Sequence, residues 1–149
     1  MKRFQFTLDK LMGYKDQVLS KEKNDLAQLR SDQLKVISEK EEMEQKLRES
    51  GEEFAEKAAL GMSITEITMF KGFHNALIDQ IRLKEKQISE FDDRIAKQLN
   101  VVVEASKDVN SLEKLRDKQL EEYRFRVNKS EEQFIEEYVS NKTFSQQAM

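Results

Sequence analysis

The sequence predicts an all-α fold, a long two-helix antiparallel coiled-coil hairpin with an unpaired C-terminal overhang. Its 149 residues include no proline, four glycines and 37 % charged residues, so the chain is free to be almost entirely helical. Apolar residues recur in both halves with the 3.5-residue period of a coiled coil. A cluster of helix-start signals at residues 61–67 separates the two halves. Together these features favour two helices packed along narrow apolar seams over a round core.

One domain is predicted to span residues 1–149. It divides into helix one at about 4–58, a tip at about 59–63, helix two at about 64–140 and a frayed polar tail at 141–149.

Helix one carries a stripe of fourteen positions spaced alternately four and three residues apart, nine of which are apolar. The stripe runs through Leu8, Met12, Lys15, Leu19, Glu22, Leu26, Leu29, Gln33, Val36, Lys40, Met43, Leu47, Ser50 and Phe54. Charged residues fill the intervening positions, which is typical of a left-handed coiled coil.

The tip is predicted from a capping box, in which Ser63 caps a new helix and Glu66, three residues later, reaches back to it. Met62 and Ile67 have the spacing of a hydrophobic staple, and Gly61 supplies a flexible backbone for the turn. The alternative is a chance occurrence of these residues within one continuous helix.

Helix two repeats the stripe with mostly apolar residues. It runs through Ile67, Phe70, His74, Leu77, Ile81, Lys84, Ile88, Phe91, Ile95, Gln98, Val102, Ala105, Val109 and Leu112. The best path then slips by one residue, to Arg116, Leu120, Tyr123, Val127, Ser130 and Phe134, which predicts a local change in the supercoil.

Antiparallel pairing leaves part of helix two without a partner. With the tip at 58–62, paired residue numbers sum to about 120, so the chain beyond roughly residue 118 has nothing opposite it. That overhang is nevertheless rich in apolar residues, namely Leu120, Tyr123, Phe125, Val127, Phe134, Ile135, Tyr138 and Val139. Three explanations stay open: a binding partner, a fold-back of the Phe4 and Phe6 end, or a second copy of the chain.

The start of helix two has more apolar residues than one seam requires. Phe73, Leu77 and Gln80 share a face, and the first two form an aromatic and aliphatic anchor of the kind that dominates interfaces. Other apolar residues off the stripe are Ile64, Met69, Ala76, Ile78 and Leu83. Either this surface binds a partner, or it packs against Phe54, Ala58, Ala59 and Leu60 of the returning helix.

Composition argues against several classes of function. Interleaved charges with a net of −3 disfavour nucleic acid, and the absence of cysteine suits a reducing compartment such as the cytoplasm. No apolar run approaches the ~18 residues of a membrane span, so no membrane insertion is expected. The sequence has no glycine-rich phosphate loop, and its single histidine, His74, is predicted to pack on the seam rather than to bind metal. We therefore predict no enzyme activity, no cofactor and no metal site.

Three stretches resemble the flagellar export protein FliJ family, in its Gram-positive form. They are Phe4-Gln5-Phe6-x-Leu8-x-Lys10-Leu11 followed by Tyr14-Lys15, then Gly61-Met62-Ser63-x-x-Glu66 leading to Phe70-x-x-Phe73-x-x-x-Leu77, and finally Leu112-Glu113-Lys114-Leu115-Arg116-Asp117-Lys118-Gln119.

The resemblance implies a component of the flagellar type III export apparatus that serves flagellum biogenesis and motility. Such a protein is expected in the cytoplasm, at the membrane beneath the flagellum. It would act as the central stalk of the export ATPase ring (FliI-like), contact the cytoplasmic domain of the export gate (FlhA-like) and collect unladen export chaperones.

Site residues follow from the resemblance together with the overhang. Gate binding is expected at Phe73 and Leu77, which match the family motif, with Gln80 and Lys84 on the same face departing from it. Ring binding is expected at Phe4, Phe6, Leu120, Tyr123, Val127 and Phe134. Two other functions remain possible: a structural coiled-coil spacer or homodimer, and a helical-hairpin holdase chaperone.

Overall fold

A computed structural model describes residues 2–147 and contains two helices, α1 (Asp9–Leu60) and α2 (Ile64–Gln147). Residues 61–63 join them, and no strand occurs among the described residues. The two helices pack against each other, which confirms the predicted all-α helical hairpin. Two compact units can be distinguished, a terminal unit formed by Met1–Ser20 with Glu104–Met149, and a tip unit formed by Lys21–Val103.

The predicted stripes form the seam of the tip unit. Every stripe position of α1 in this unit is buried or half-buried, as is every stripe position of α2 except His74. The most deeply buried apolar side chains of the unit are Leu26, Leu77 and Ile81. The 3.5-residue period therefore identified the packed face of both helices.

Polar stripe residues are hydrogen-bonded across the seam. The Gln33 side-chain amide donates to the carbonyl oxygen of Ile88 at 3.2 Å and to a carboxylate oxygen of Asp92 at 2.6 Å. The Gln98 amide donates to the backbone oxygen and the carboxylate of Glu22, at 3.0 and 2.6 Å. Residue numbers across these pairs sum to between 120 and 125, so the observed register agrees with the one expected from the tip.

The tip has one of the two hydrogen bonds of the predicted capping box, the one that Ser63 accepts. Gly61 follows the last residue of α1 with φ at 100°, in the left-handed region that favours glycine, and its N–H donates to the Ala58 carbonyl at 3.2 Å. The Glu66 N–H donates to Ser63 Oγ at 3.2 Å, which satisfies one of the free amides at the start of α2. Met62 and Ile67 are both half-buried, as a hydrophobic staple requires.

In the terminal unit, the chain before α1 folds back onto α2. Phe6 is 8 % exposed, and the Phe4 ring lies with its centroid 5.5 Å from that of Tyr123. The Tyr123 hydroxyl donates to the Lys2 carbonyl. The fold-back of the Phe4 and Phe6 end is thus confirmed.

Helix one does not begin at about residue 4, as predicted. It begins at Asp9, after a turn in which the Asp9 N–H donates to the Phe6 carbonyl at 3.1 Å. Leaving the helix before Asp9 lets both Phe4 and Phe6 reach α2, and the Asp9 carboxylate then lies at the positive end of the helix dipole.

The slipped path along α2 is present as far as Val127, whereas its last two predicted positions, Ser130 and Phe134, are exposed. Ala105 and Val109 are buried, and Arg116, Leu120, Tyr123 and Val127 are half-buried. From Asn128 to Gln146 every residue is exposed, yet the backbone stays helical. The predicted fraying from residue 141 is wrong as far as Gln147, because α2 has neither proline nor glycine after Gly72 to end it, and residues 148–149 lie outside the described part.

His74 is exposed, contrary to its predicted place on the seam. At this level α1 presents Ser50 and Gly51, which are too small to cover an imidazole ring.

Candidate interaction surfaces

An apolar groove of about 450 Å³ lies between the helices in the tip unit. It exists because Ser50 is a small residue at a seam position, where most neighbouring positions carry a large apolar side chain. Its lining consists of Lys46, Glu49, Ser50 and Glu53 from α1 and Met69, Phe70 and Phe73 from α2. We call these seven residues the tip groove.

Phe70, which forms the apolar floor of the tip groove, belongs to an aromatic pair. The Phe70 ring packs edge-on against that of Phe54, with centroids 5.6 Å apart. Lys57 lies over the Phe70 ring at 5.3 Å and pairs with the Glu53 carboxylate at 3.0 Å. The groove therefore combines an apolar floor with charged side chains on its α1 side.

The four residues predicted to bind the gate do not form one exposed patch. Phe73 is 50 % exposed in the tip groove, whereas Leu77 is 5 % exposed and belongs to the seam. Gln80 is exposed, and the Lys84 ammonium is half-buried in an ion pair with Glu39. A partner in the groove can reach Phe73 directly, while Leu77 supports the helix beneath it.

The apolar pattern of the sequence includes Met69 in this region but does not predict the α1 side of the groove. Met69 is exposed, and it lies four residues before Phe73 on the same edge of α2. Lys46, Glu49 and Glu53 line the opposite wall. The signal that could have found them is the register, because residue numbers that sum to about 120 place Ser50 opposite Phe70, three residues before Phe73.

The sequence left open that the excess apolar residues of α2 pack against the last turn of α1. Leu60 and Ile64 do not pack in this way, since both are exposed. Phe54 does pack, against Phe70.

A second surface lies in the terminal unit, on α2 beyond the reach of α1. We call residues 128–146 the free segment, since every one of them is exposed. Its large apolar residues are Phe134, Ile135, Tyr138, Val139 and Phe144. A helix that presents such residues without a covering element has the character of an interaction surface.

The residues predicted to bind the ATPase ring fall into two groups. Phe6 is buried, and Phe4, Leu120, Tyr123 and Val127 are half-buried in the terminal unit. Phe134 is 70 % exposed in the free segment. The structure thus brings Phe4 and Tyr123 together with each other, while Phe134 stands apart from them as an accessible side chain.

Within residues 2–147 no group of three or more His, Cys, Asp or Glu side chains is arranged to hold a metal ion. In the same part of the chain, neither helix contains a window apolar enough to cross a membrane.

Residues 4–148 of the chain match the family model of the flagellar FliJ protein. No individual curated protein and no solved structure matches the chain closely enough to add to this result. The match covers nearly the whole chain, both helices and the segment that precedes α1, and FliJ proteins are non-catalytic components associated with flagellar export. The chain belongs to the FliJ family.

Proposed function

We propose that this protein is the stalk of the flagellar export ATPase ring and an adaptor between that ring and the export gate. In this role it works in the cytoplasm, at the membrane beneath the flagellum, and also collects unladen export chaperones. A stalk does no chemistry itself. It shifts the ATPase between conformations by binding one arrangement of the ring more tightly than another.

The observation that carries the proposal is the free segment. Its large apolar side chains are displayed on a regular helix that continues well past the residues covered by the N-terminal segment. Burying one such side chain stabilises a complex by about 1.5 to 3 kcal/mol, so a partner that encloses this helix gains a large favourable term. A ring with a central opening is a partner of this kind.

Binding to the gate is assigned to the tip groove. Phe73 and Met69 present apolar surface beside the charged α1 residues Lys46, Glu49 and Glu53. An apolar anchor surrounded by polar groups is the usual composition of a specific protein interface. We expect a gate residue with an apolar side chain to enter the groove over Phe70.

The ring assignment is tested with Phe134→Ala/Tyr138→Ala in the full-length protein. Both side chains are exposed, so the variant should fold normally and lose the ability to raise the ATP hydrolysis rate of the cognate export ATPase. Leu34→Ala is the matched control, because it removes an apolar side chain of similar exposure from α1. Full stimulation by the double variant, or equal loss in the control, would contradict the assignment.

The gate assignment is tested with Phe73→Ala against the purified cytoplasmic domain of the gate. We expect binding to weaken by about tenfold or more, as for an interface anchor that contributes 1.4 kcal/mol or more. Leu83→Ala, on the same helix and 55 % exposed, should bind like the wild type. The groove is not the gate site if Phe73→Ala also binds like the wild type.

A further inference from the structure

The free segment carries a stripe that is complementary to itself. Glu131, Ile135, Tyr138 and Lys142 follow one another at steps of four, three and four residues, so they share one face of α2. The order of steps is the same when read from either end. Reversing the direction therefore exchanges Glu131 with Lys142 and Ile135 with Tyr138.

We propose that this face binds a second copy of the same chain, with the two free segments antiparallel about a twofold axis. In that arrangement each Ile135 packs against the partner's Tyr138, and each Glu131 lies opposite the partner's Lys142. A twofold contact of this kind requires a self-complementary patch, in which residue i meets residue j and residue j meets residue i.

Charge fixes the direction of the pairing. Antiparallel helices bring unlike charges together at both ends of the stripe, whereas parallel helices in register would bring Glu131 against Glu131 and Lys142 against Lys142. All four stripe side chains are exposed, and within residues 2–147 neither Glu131 nor Lys142 forms an ion pair. Both charged groups are therefore available to a partner.

Apolar neighbours widen the contact. Phe134 lies one turn before Tyr138, and Val139 one turn after Ile135. Both are exposed, and the same pairing places each Phe134 against the partner's Val139. The acidic residues Glu136 and Glu137 lie on the other side of the helix, so their repulsion does not oppose the dimer.

The length of the stripe sets the strength of the contact. Twelve residues of helix span about 18 Å, so the interface falls at the low end of specific interfaces, below about 1,200 Å². We therefore expect a weak and reversible dimer that forms at high protein concentration. This inference goes beyond the stalk role and does not rest on it, because dimerisation is measured without ATPase or gate.

The test is sedimentation equilibrium of the full-length chain over a concentration series, with charge-reversed variants. Glu131→Lys and Lys142→Glu each place like charges opposite each other at both ends, so each alone should dimerise about tenfold more weakly. Mixing the two single variants restores attraction at both ends, and so does the double variant Glu131→Lys/Lys142→Glu. Dimerisation should recover in both cases.

Matched controls reverse a charge on the other side of the same segment. Glu137→Lys and Lys129→Glu change the net charge as the test variants do and should dimerise like the wild type. The four sites are exposed, so far-ultraviolet circular dichroism should show equal helicity in all variants. A wild type that stays monomeric throughout the series overturns the proposal, as do single variants that dimerise normally or a mixture that fails to recover.

Discussion

Leu77 and Leu83 offer a direct test of how the seam is built. Both are leucines of α2 in the tip unit, six residues apart, but Leu77 is 5 % exposed and Leu83 is 55 % exposed. Replacing either by alanine changes helix propensity by the same amount. A difference in stability between Leu77→Ala and Leu83→Ala therefore reports burial alone.

The magnitudes follow from the groups removed. Leucine to alanine deletes three carbons, each worth about 0.8 kcal/mol when buried, so Leu77→Ala should lower the free energy of unfolding by about 2 to 3 kcal/mol. Leu83→Ala, with roughly half of that burial, should cost about 1 kcal/mol. Urea unfolding followed by circular dichroism at 222 nm measures both values. Equal costs for the two substitutions would refute the assignment of Leu77 to the seam.

Burial also distinguishes Leu77 from Phe73 at the proposed gate site. Because Leu77 is buried, we expect Leu77→Ala to weaken gate binding through loss of seam stability, whereas Phe73→Ala should weaken it with a stability cost of about 1 kcal/mol. Measuring gate binding without urea, where both variants are folded, separates the loss of stability from the loss of a direct contact. A Leu77 substitution that abolishes binding in a fully folded protein would place Leu77 in the interface.

Three further predictions concern other parts of the chain. Gly61→Ala should lower the free energy of unfolding by about 1 kcal/mol, because the Gly61 φ of 100° disfavours any side chain. Gly72→Ala should raise the free energy of unfolding by about 0.5 to 1 kcal/mol, because Gly72 lies inside α2 and nothing is within 4 Å of the new Cβ. Urea unfolding decides both, and equal signs would contradict the prediction. Tyr123→Phe removes the hydrogen bond to the Lys2 carbonyl, so limited proteolysis should cut the segment before α1 faster; an unchanged rate would mean that ring packing alone holds it. Finally, the proposed dimer and the proposed ring contact both use Phe134 and Tyr138. Excess export ATPase should therefore dissociate the dimer into single ATPase-bound chains in sedimentation experiments. A dimer that stays intact with ATPase bound would show that the two surfaces are separate.

Much of the fold could be predicted from the sequence because a coiled coil is built from a local repeat. The spacing of apolar residues identified the seam, and the Ser63 and Glu66 cap located the tip. The start of α1 could not be predicted in this way. Residues 4–8 are compatible with a helix, and they leave it because Phe4 and Phe6 gain contacts with α2, which is distant in sequence.

The candidate sites were predicted less completely for a related reason. Periodicity shows which residues share a face, but it does not show how much of that face the other helix covers. Phe73 and Leu77 are four residues apart on one face, yet one is half-exposed and the other is buried. The difference arises at Ser50, whose small side chain leaves Phe73 uncovered.

The polar residues in the seam fix the position of Ser50 beside Phe70 and Phe73. An apolar stripe alone tolerates a slip of one heptad, since leucine or isoleucine would again meet an apolar neighbour. Gln98 bonded to the Glu22 carboxylate disfavours such a slip, because Lys15 or Leu29 would then replace Glu22 and the amide would lose that acceptor at a cost of about 1 to 3 kcal/mol. The ion pair between Lys40 and Glu85 adds a charge match in the same register. These apparent interruptions of the stripe therefore fix the alignment of α1 and α2, and that alignment creates the tip groove.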